Sequence, residues 1–419
     1  MRTVMNPLAP SSDFLPPITA SGVDSLTLLT DVTVVSQGVA KPHHHVVVAN
    51  GCIQSISAEA PADFLMQQSN VTVINGNNQP LTVGLVDLQC NGAFGIDVNH
   101  ATAAQIRVLL KQLAQTGTTH VMLTLITAPL EDMIRAIQTL ESVIREPRPD
   151  EAHVLGIHLE GPFLNPLCGG IHPPTAMPRK ISIATLETLC SPSVKLVTLA
   201  PELPGALEAI GWLTKRGITV FAGHTAATAA EAMMAFDAGV TGVTHLFNAM
   251  KPFHHRAPGL ISVALTHPHV TITLIADGHH VYPEALRLAI TAKGAAGAGK
   301  VVLVSDSMPL AGTPVGTQGH FGGQTITHQA VKGLPVGKAA NADGTLAGSV
   351  ALLNHAVGNV QAWGLADLPT TIAMASENPA AAVGMTDGSR TGIGTLTADG
   401  PANWVLWDAE TWTPLQVGL

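Results

Sequence analysis

The chain has 419 residues, 46% of them hydrophobic and only 12% charged, about half the usual charged share of a globular protein. So few charges exclude an extended disordered coil, and a formal net charge of −9 argues against nucleic acid as the main partner. Mean hydropathy is +0.31, yet Gly, Thr, His or Asp interrupts every apolar run before it reaches the roughly 18 residues of a membrane span, so no membrane partner is expected.

Residues 1–22 are Pro/Ser-rich without periodicity and carry no signal-peptide core, so a flexible leader is expected there. Four scattered cysteines, Cys52, Cys90, Cys168 and Cys190, form no CxxC pair. That usage suits a reducing compartment and predicts a cytoplasmic protein. From Ser25 to Ser57 short β-rich runs (Leu26–Leu29, Val32–Val35, Val46–Val48, Cys52–Ile56) are separated by turn residues, with Asn50-Gly51 the strongest hairpin signal. The tail returns to β text at Gly394–Leu396 and Trp404–Trp407. A small β-sandwich domain from 23–80 plus 366–419 is therefore expected.

Between them the pattern alternates. Apolar runs at Val83–Leu88, Thr119–Leu125, His153–Leu159, Lys195–Leu199, Thr219–Ala222, Gly242–His245, Val270–Ala276 and Lys300–Ser305 lack in/out alternation, as strands covered on both faces do. Stretches of helical period lie between them, including Ala103–Gln115, Glu131–Arg145, Ala206–Lys215, Ala227–Asp237 and Pro283–Lys293. Eight strands with helical crossovers predict an α/β chain with a (β/α)8 TIM-like barrel over 81–365. No G-x-G-x-x-G follows an early strand, which lowers the competing doubly wound sheet.

Histidine is unusually abundant, 19 against 20 Lys plus Arg, which directs attention to metal. Polar residues sit at run after run: Gln89 and Asn91 after the first, Glu160 at the third, His224 at the fifth, His245 at the sixth, His280 after the seventh and Asp306 after the eighth. In a barrel those ends converge on one mouth. One Glu and two His leave an open position for water, the arrangement catalytic zinc uses, and Asp306 would take and return the water's proton. A single His at a strand end is more often a hydrogen-bonded loop residue than a ligand; the four-residue set is what points to a metal hydrolase. His43-His44-His45 reads as an exposed turn, and His254, His255, His267 and His269 as surface or loop residues.

At these positions the chain resembles the N-acetylglucosamine-6-phosphate deacetylases of the amidohydrolase superfamily. The resemblance rests on Gly156-Ile157-His158-Leu159-Glu160-Gly161-Pro162-Phe163-Leu164-Asn165, Ala222-Gly223-His224-Thr225, Thr244-His245-Leu246-Phe247-Asn248-Ala249-Met250, Ala276-Asp277-Gly278-His279-His280, Leu303-Val304-Ser305-Asp306 and Thr345-Leu346-Ala347-Gly348-Ser349, in family order. It implies that Glu160, His224 and His245 hold one divalent metal per subunit, zinc first, with iron or another divalent ion as alternatives. Gln89-Cys90-Asn91 stands where the superfamily usually has His-x-His, which matches single-metal members. Asp306 would be base then acid, and His172 would polarise the acetamide carbonyl. Asn248, Ala249, Arg256, Asp277 and His280 would bind the sugar phosphate, with Ile171, Leu346, Ala347 and Gly348 lining the sugar. A homodimer is implied, because in the family some phosphate contacts cross to a neighbouring subunit.

Three departures stand out: Pro166–Gly170 lacks the lysines of many relatives, Asp399–Asn403 differs from the family's Gly-Lys-x-Ala-Asp segment, and the chain stops soon after Trp412. The implied reaction is metal-dependent removal of acetate from N-acetylglucosamine 6-phosphate. The alternatives are another amidohydrolase reaction on a different N-acyl sugar or cyclic amide, and a non-catalytic sugar-phosphate binder.

Overall fold

The computed structural model describes residues 26–61, 70–297, 299–334, 336–385 and 393–419; the leader expected over 1–22 lies outside them. Gln37-Gly38 and Asn50-Gly51 take φ of 52°, 73°, 51° and 73°, the backbone of the tight hairpin turn that suits right-twisted strands. They fold Leu26–Ser36, Val39–Ala49 and Cys52–Ser57 into an antiparallel meander. His43-His44-His45 lies inside the second of these strands rather than in a turn. One extra residue makes a bulge there: Val32 faces His44 while Val34 faces Lys41, and His43 takes a φ of 53°. Along its other edge the first strand pairs in parallel with Val71–Asn75 and then with Pro80–Val83.

From the far end of the sequence, Trp404–Trp407 pairs with Pro80–Val83, and Pro414–Gly418 adds the outermost strand. Both ends of the described chain thus build one seven-stranded sheet. Period-two alternation gives Trp404–Trp407 two buried faces. Trp404 and Leu406 pack with Val46, Ile53 and Leu81, whereas Val405 and Trp407 pack into the apolar layer around the barrel. Gly394–Leu396 is not a strand; the Leu396 N–H donates to Ser36 Oγ at 3.0 Å.

The eight runs that alternate with helices form one parallel sheet in chain order: Leu85–Cys90, Thr118–Ile126, His153–Glu160, Val194–Leu199, Thr219–Ala222, Gly242–Val243, Thr271–Ile275 and Val301–Val304. The eighth meets the first through Asn91 N donating to Ser307 O at 2.8 Å and Ser305 N donating to Asp87 Oδ1 at 3.2 Å. The fold is the (β/α)8 barrel with a small β domain that the alternation predicts. The first barrel strand starts at Leu85, because Val83 still pairs with Trp404 in the other sheet. The helix expected from Ala227 starts at Ala229, because the Thr228 hydroxyl accepts the Glu231 N–H and Glu231 returns the bond.

Inside the barrel, Val86, Met122, Leu155, Leu196, Phe221 and Val302 form an apolar plug, closed at the N-terminal end by Ala380 of the helix Glu377–Ala382. Toward the C-terminal end the filling turns polar. Thr124 Oγ1 lies 3.3 Å from His158 Nδ1, His158 Nε2 lies 2.8 Å from Thr198 Oγ1, and Thr198 lies 2.7 Å from Thr244 Oγ1. Oriented hydrogen bonds begin one layer below the mouth, which gives the residues above them a rigid floor.

Asp87 locks the seam between first and eighth strands, accepting from Gln89 N, Ser305 N and Ser305 Oγ. Burial pushes its carboxyl up to about 6 even against these bonds, from about 3.9 in an unfolded chain. The folded state therefore binds more protons than the unfolded state between those values, and Asp87 costs stability as pH rises from 4 to 6, up to about 3 kcal/mol. In denaturant unfolding, Asp87→Asn is expected to gain on wild type across that window; a stability difference independent of pH would contradict this.

Candidate active site

The C-terminal strand ends bring the expected residues to one mouth. Glu160 is the last residue of the third barrel strand, and His224, His245 and Asp306 each stand two residues beyond the fifth, sixth and eighth. The last three hold φ of 48°, 33° and 46°. Positive φ costs a non-glycine residue of order 1 kcal/mol or more. This is why the sixth strand ends at Val243 and not at His245. The turned backbone swings each side chain across the mouth instead of along the wall.

These side chains converge on one carboxylate. Glu160 Oε1 lies 2.8 Å from His245 Nε2 and 3.2 Å from His224 Nε2, and the two nitrogens are 3.1 Å apart. His224 Nδ1 donates to the Cys168 carbonyl at 2.9 Å, so in the neutral ring the Nε2 lone pair faces an anionic oxygen. A lone pair held against an anion calls for a cation between them. The three separations also suit one: ligands at about 2.0–2.1 Å from a tetrahedral metal lie roughly 3.3 Å from each other. Glu160, His224 and His245 therefore fit a divalent cation.

Glu160, His172 and His224 also bring ligand atoms within 4.8 Å of one another, but His172 is committed differently. The Thr127 backbone N–H points at His172 Nδ1 at 3.3 Å, which assigns the ring proton to Nε2, 3.6 Å from Glu160 Oε2. Burial, with His224 beside it, holds the His172 pKa down to about 4. It is a neutral hydrogen-bond donor, the form suited to a carbonyl oxygen rather than to a metal. Burial works against ionising Glu160, but the three imidazoles around its carboxylate, His172, His224 and His245, hold it well below the usual range.

Gln89 and Asn91 act here as donors. One Gln89 amide bridges Glu160 Oε1 at 2.9 Å and Asp306 Oδ1 at 3.0 Å, and Asn91 Nδ2 donates to the same Asp306 oxygen at 2.8 Å. Burial, with the Glu160 charge nearby, pushes the Asp306 carboxyl up to about 6. A weakly basic carboxylate beside a cation-competent cluster can take a proton from water and return it.

Asn91, Glu160, His224, His245 and Asp306 border a cavity of about 290 Å³, which Ile171, His172, Asn248, Ala249, His280, Leu346 and Gly348 also line. His280 Nδ1 donates to Asp277 Oδ2 at 2.7 Å, and Ser349 Oγ donates to the same oxygen at 2.9 Å. Against the effect of burial, Asp277 raises the His280 pKa, so this wall favours a cationic imidazolium. Asp277 stands behind His280 and off the lining, Ala347 is buried behind the lining residue Phe321, and Arg256 lies exposed outside the cavity.

Sequence reasoning missed Phe321 and Ile126, which give the lining its apolar side. Phe321 comes from a three-stranded insert, Gln318–Phe321, Gln324–Gln329 and Lys338–Ala340. Its Gly322-Gly323 turn was the available signal. Gly322 is required there: at φ 58° a Cβ would fall 2.3 Å from the Ile171 carbonyl.

No family model matches the chain. It is 32% identical to the N-acetylglucosamine-6-phosphate deacetylase of Bacillus subtilis (strain 168) over 387 residues, covering 91% of this chain and 94% of that one. It is 33% identical to the N-acetylgalactosamine-6-phosphate deacetylase of Escherichia coli O157:H7 over 345 residues, 82% and 85% of the two. The crystal structure of the N-acetylglucosamine-6-phosphate deacetylase from Pasteurella multocida superimposes with a TM-score of 0.83 at 27% identity, covering 94% of this chain and 98% of that one.

Because Gln89 hydrogen-bonds both carboxylates, Gln89→Leu is expected to destabilise the metal-free protein by about 1.5–3 kcal/mol, the range for hydrogen bonds to charged groups. Denaturant midpoints of the chelated protein measure it; a loss under 1 kcal/mol, at the scale of an ordinary exposed contact, would contradict it.

Proposed function

The chain belongs to the N-acetylglucosamine-6-phosphate deacetylase family of the amidohydrolase superfamily, and from that premise we propose that it hydrolyses the acetamide of N-acetylglucosamine 6-phosphate to glucosamine 6-phosphate and acetate. The observation that carries this reading is Asp306 tied through Gln89 to the buried Glu160–His224–His245 cluster.

Glu160, His224 and His245 would hold one divalent cation, zinc by the chemistry of two imidazoles and a carboxylate, with iron as the nearest competitor. Such an ion supplies Lewis acidity toward the amide carbonyl and acidifies water. The rest belongs to the chain. His172 Nε2–H donates to the acetamide oxygen as negative charge grows on it. Asp306 accepts a proton from the attacking water, then delivers it to the sugar nitrogen, so the C–N bond breaks with a neutral amine leaving. The His280 imidazolium, backed by Asp277, attracts the phosphate dianion, and the backbone at Asn248 and Ala249 completes that end. Arg256, exposed outside its own cavity, would clasp the phosphate in a second copy of the chain, its fork binding two oxygens at once; a homodimer follows from that role. A cytoplasmic location fits a phosphorylated substrate. Among the described residues no helix is long and apolar enough to cross a membrane.

A second reading, the C4-epimeric N-acetylgalactosamine 6-phosphate, is favoured by the near-equal identity to a relative named for that substrate. The chemistry is the same for both epimers.

Acetate release from both phosphates and from unphosphorylated N-acetylglucosamine, before and after chelation and zinc add-back, tests these assignments. The expected outcome is activity on a phosphorylated sugar that chelation abolishes and metal restores; equal rates with and without the phosphate would refute the substrate class. Asp306→Asn is expected to lower kcat by about 10²–10⁴-fold, the usual span for a general acid–base group, with zinc still bound. His280→Ala is expected to raise KM for the phosphorylated sugar roughly tenfold, the loss of one charge-assisted bond, while leaving kcat within a few-fold.

A further inference from the structure

The loop after the fourth barrel strand lends no group to the cavity lining, yet Glu202 in that loop holds the backbone around His224. Glu202 Oε1 accepts Ala226 N at 2.7 Å and Asn165 Nδ2 at 2.8 Å, and Oε2 accepts the Thr225 hydroxyl. Asn165 carries the connection onward. Its N–H donates to the His224 carbonyl at 2.9 Å, and its own carbonyl accepts Cys168 N at 2.8 Å. The Cys168 carbonyl then receives His224 Nδ1–H at 2.9 Å. The result is a closed ring of hydrogen bonds with His224 at its centre.

His224 needs such a ring for two reasons. Its φ of 48° is sparsely populated by non-glycine residues and persists only where surroundings fix it. Its Nε2 is useful as a lone pair only while Nδ1 keeps its carbonyl partner. A carboxylate suits the hub, because it accepts at both oxygens and needs no donor of its own.

We propose that Glu202 is a positioning residue for His224, fixing the turned backbone and, through Asn165 and Cys168, the tautomer and aim of the ring. This rests on reading His224 as a metal ligand. It assigns the otherwise idle fourth loop a part in the site and gives the Leu199–Glu202 segment a function beyond connection.

Equilibrium dialysis of chelator-stripped protein against zinc tests it. Wild type is expected to bind one zinc per chain tightly, and His224→Ala to lose that binding. Glu202→Ala is expected to raise the zinc dissociation constant by about 10–100-fold, the usual cost of removing a partner behind a ligand. Glu202→Gln keeps one acceptor oxygen and is expected to fall between. Circular dichroism of the metal-free proteins establishes that each variant is folded. Should Glu202→Ala not fold, Thr225→Val removes one bond of the ring and is expected to weaken zinc roughly tenfold, the low end of that range. Wild-type zinc affinity in a folded Glu202→Ala, or in Thr225→Val where that variant stands in for it, overturns the proposal. Zinc binding that survives His224→Ala unchanged overturns the ligand reading, and the role of Glu202 with it.

Discussion

An ionised carboxylate in a buried position costs several kcal/mol unless donors or a cation enclose it. Glu160 is enclosed by Gln89 from the first barrel strand, His172 from the loop after the third, and His224 and His245 from beyond the fifth and sixth. No local segment could gather those partners. They meet because a closed parallel barrel brings the C-terminal ends of its strands around one axis. The apolar plug, the threonine–histidine floor and the bond from Ser305 to Asp87 all keep that ring of ends in register.

A second carboxylate makes the arrangement tense. Asp306 shares the Gln89 amide with Glu160, and like charges so close oppose each other's ionisation. The positive φ of His224, His245 and Asp306 adds backbone strain at the same mouth. A folded chain tolerates such local costs when the surrounding structure over-determines them. Here the Thr127 N–H fixes His172, Ser349 and Asp277 fix His280, and Asn91 fixes Asp306. His172, His280 and Asp306 are each held in place by such a neighbour.

The barrel was legible because parallel strands covered on both faces read as unbroken apolar runs, with stretches of helical period such as Ala103–Gln115 between them. Glu160, His224, His245 and Asp306 could be singled out because each follows such a run. What escaped were contacts between loops that no period describes. Phe321 reaches the cavity from an insert whose strands carry mixed polar text, Glu202 acts on residues far from it in sequence, and Ser349 acts through Asp277. His43–His45 was misjudged because a bulge lets a polar triplet sit inside a strand. Arg256, assigned to the phosphate by the family resemblance, stands exposed outside the cavity of its own chain.

The strand Trp404–Trp407 presses one face into each of two cores, with the Trp407 ring so close to Gly117 that a Cβ there would fall 2.2 Å from it. During synthesis this strand leaves the ribosome after all eight barrel strands, since chains emerge from the N-terminal end first. Until it arrives, Leu81 and Val83 lack their antiparallel neighbour, and the pocket that Trp407 fills is open. The nascent protein therefore carries an exposed apolar seam between its two halves from the completion of the eighth barrel strand until Trp404–Trp407 emerges. Trp404–Trp407 acts as the latch of the whole molecule, and the N-terminal β segment has no complete sheet of its own before it arrives.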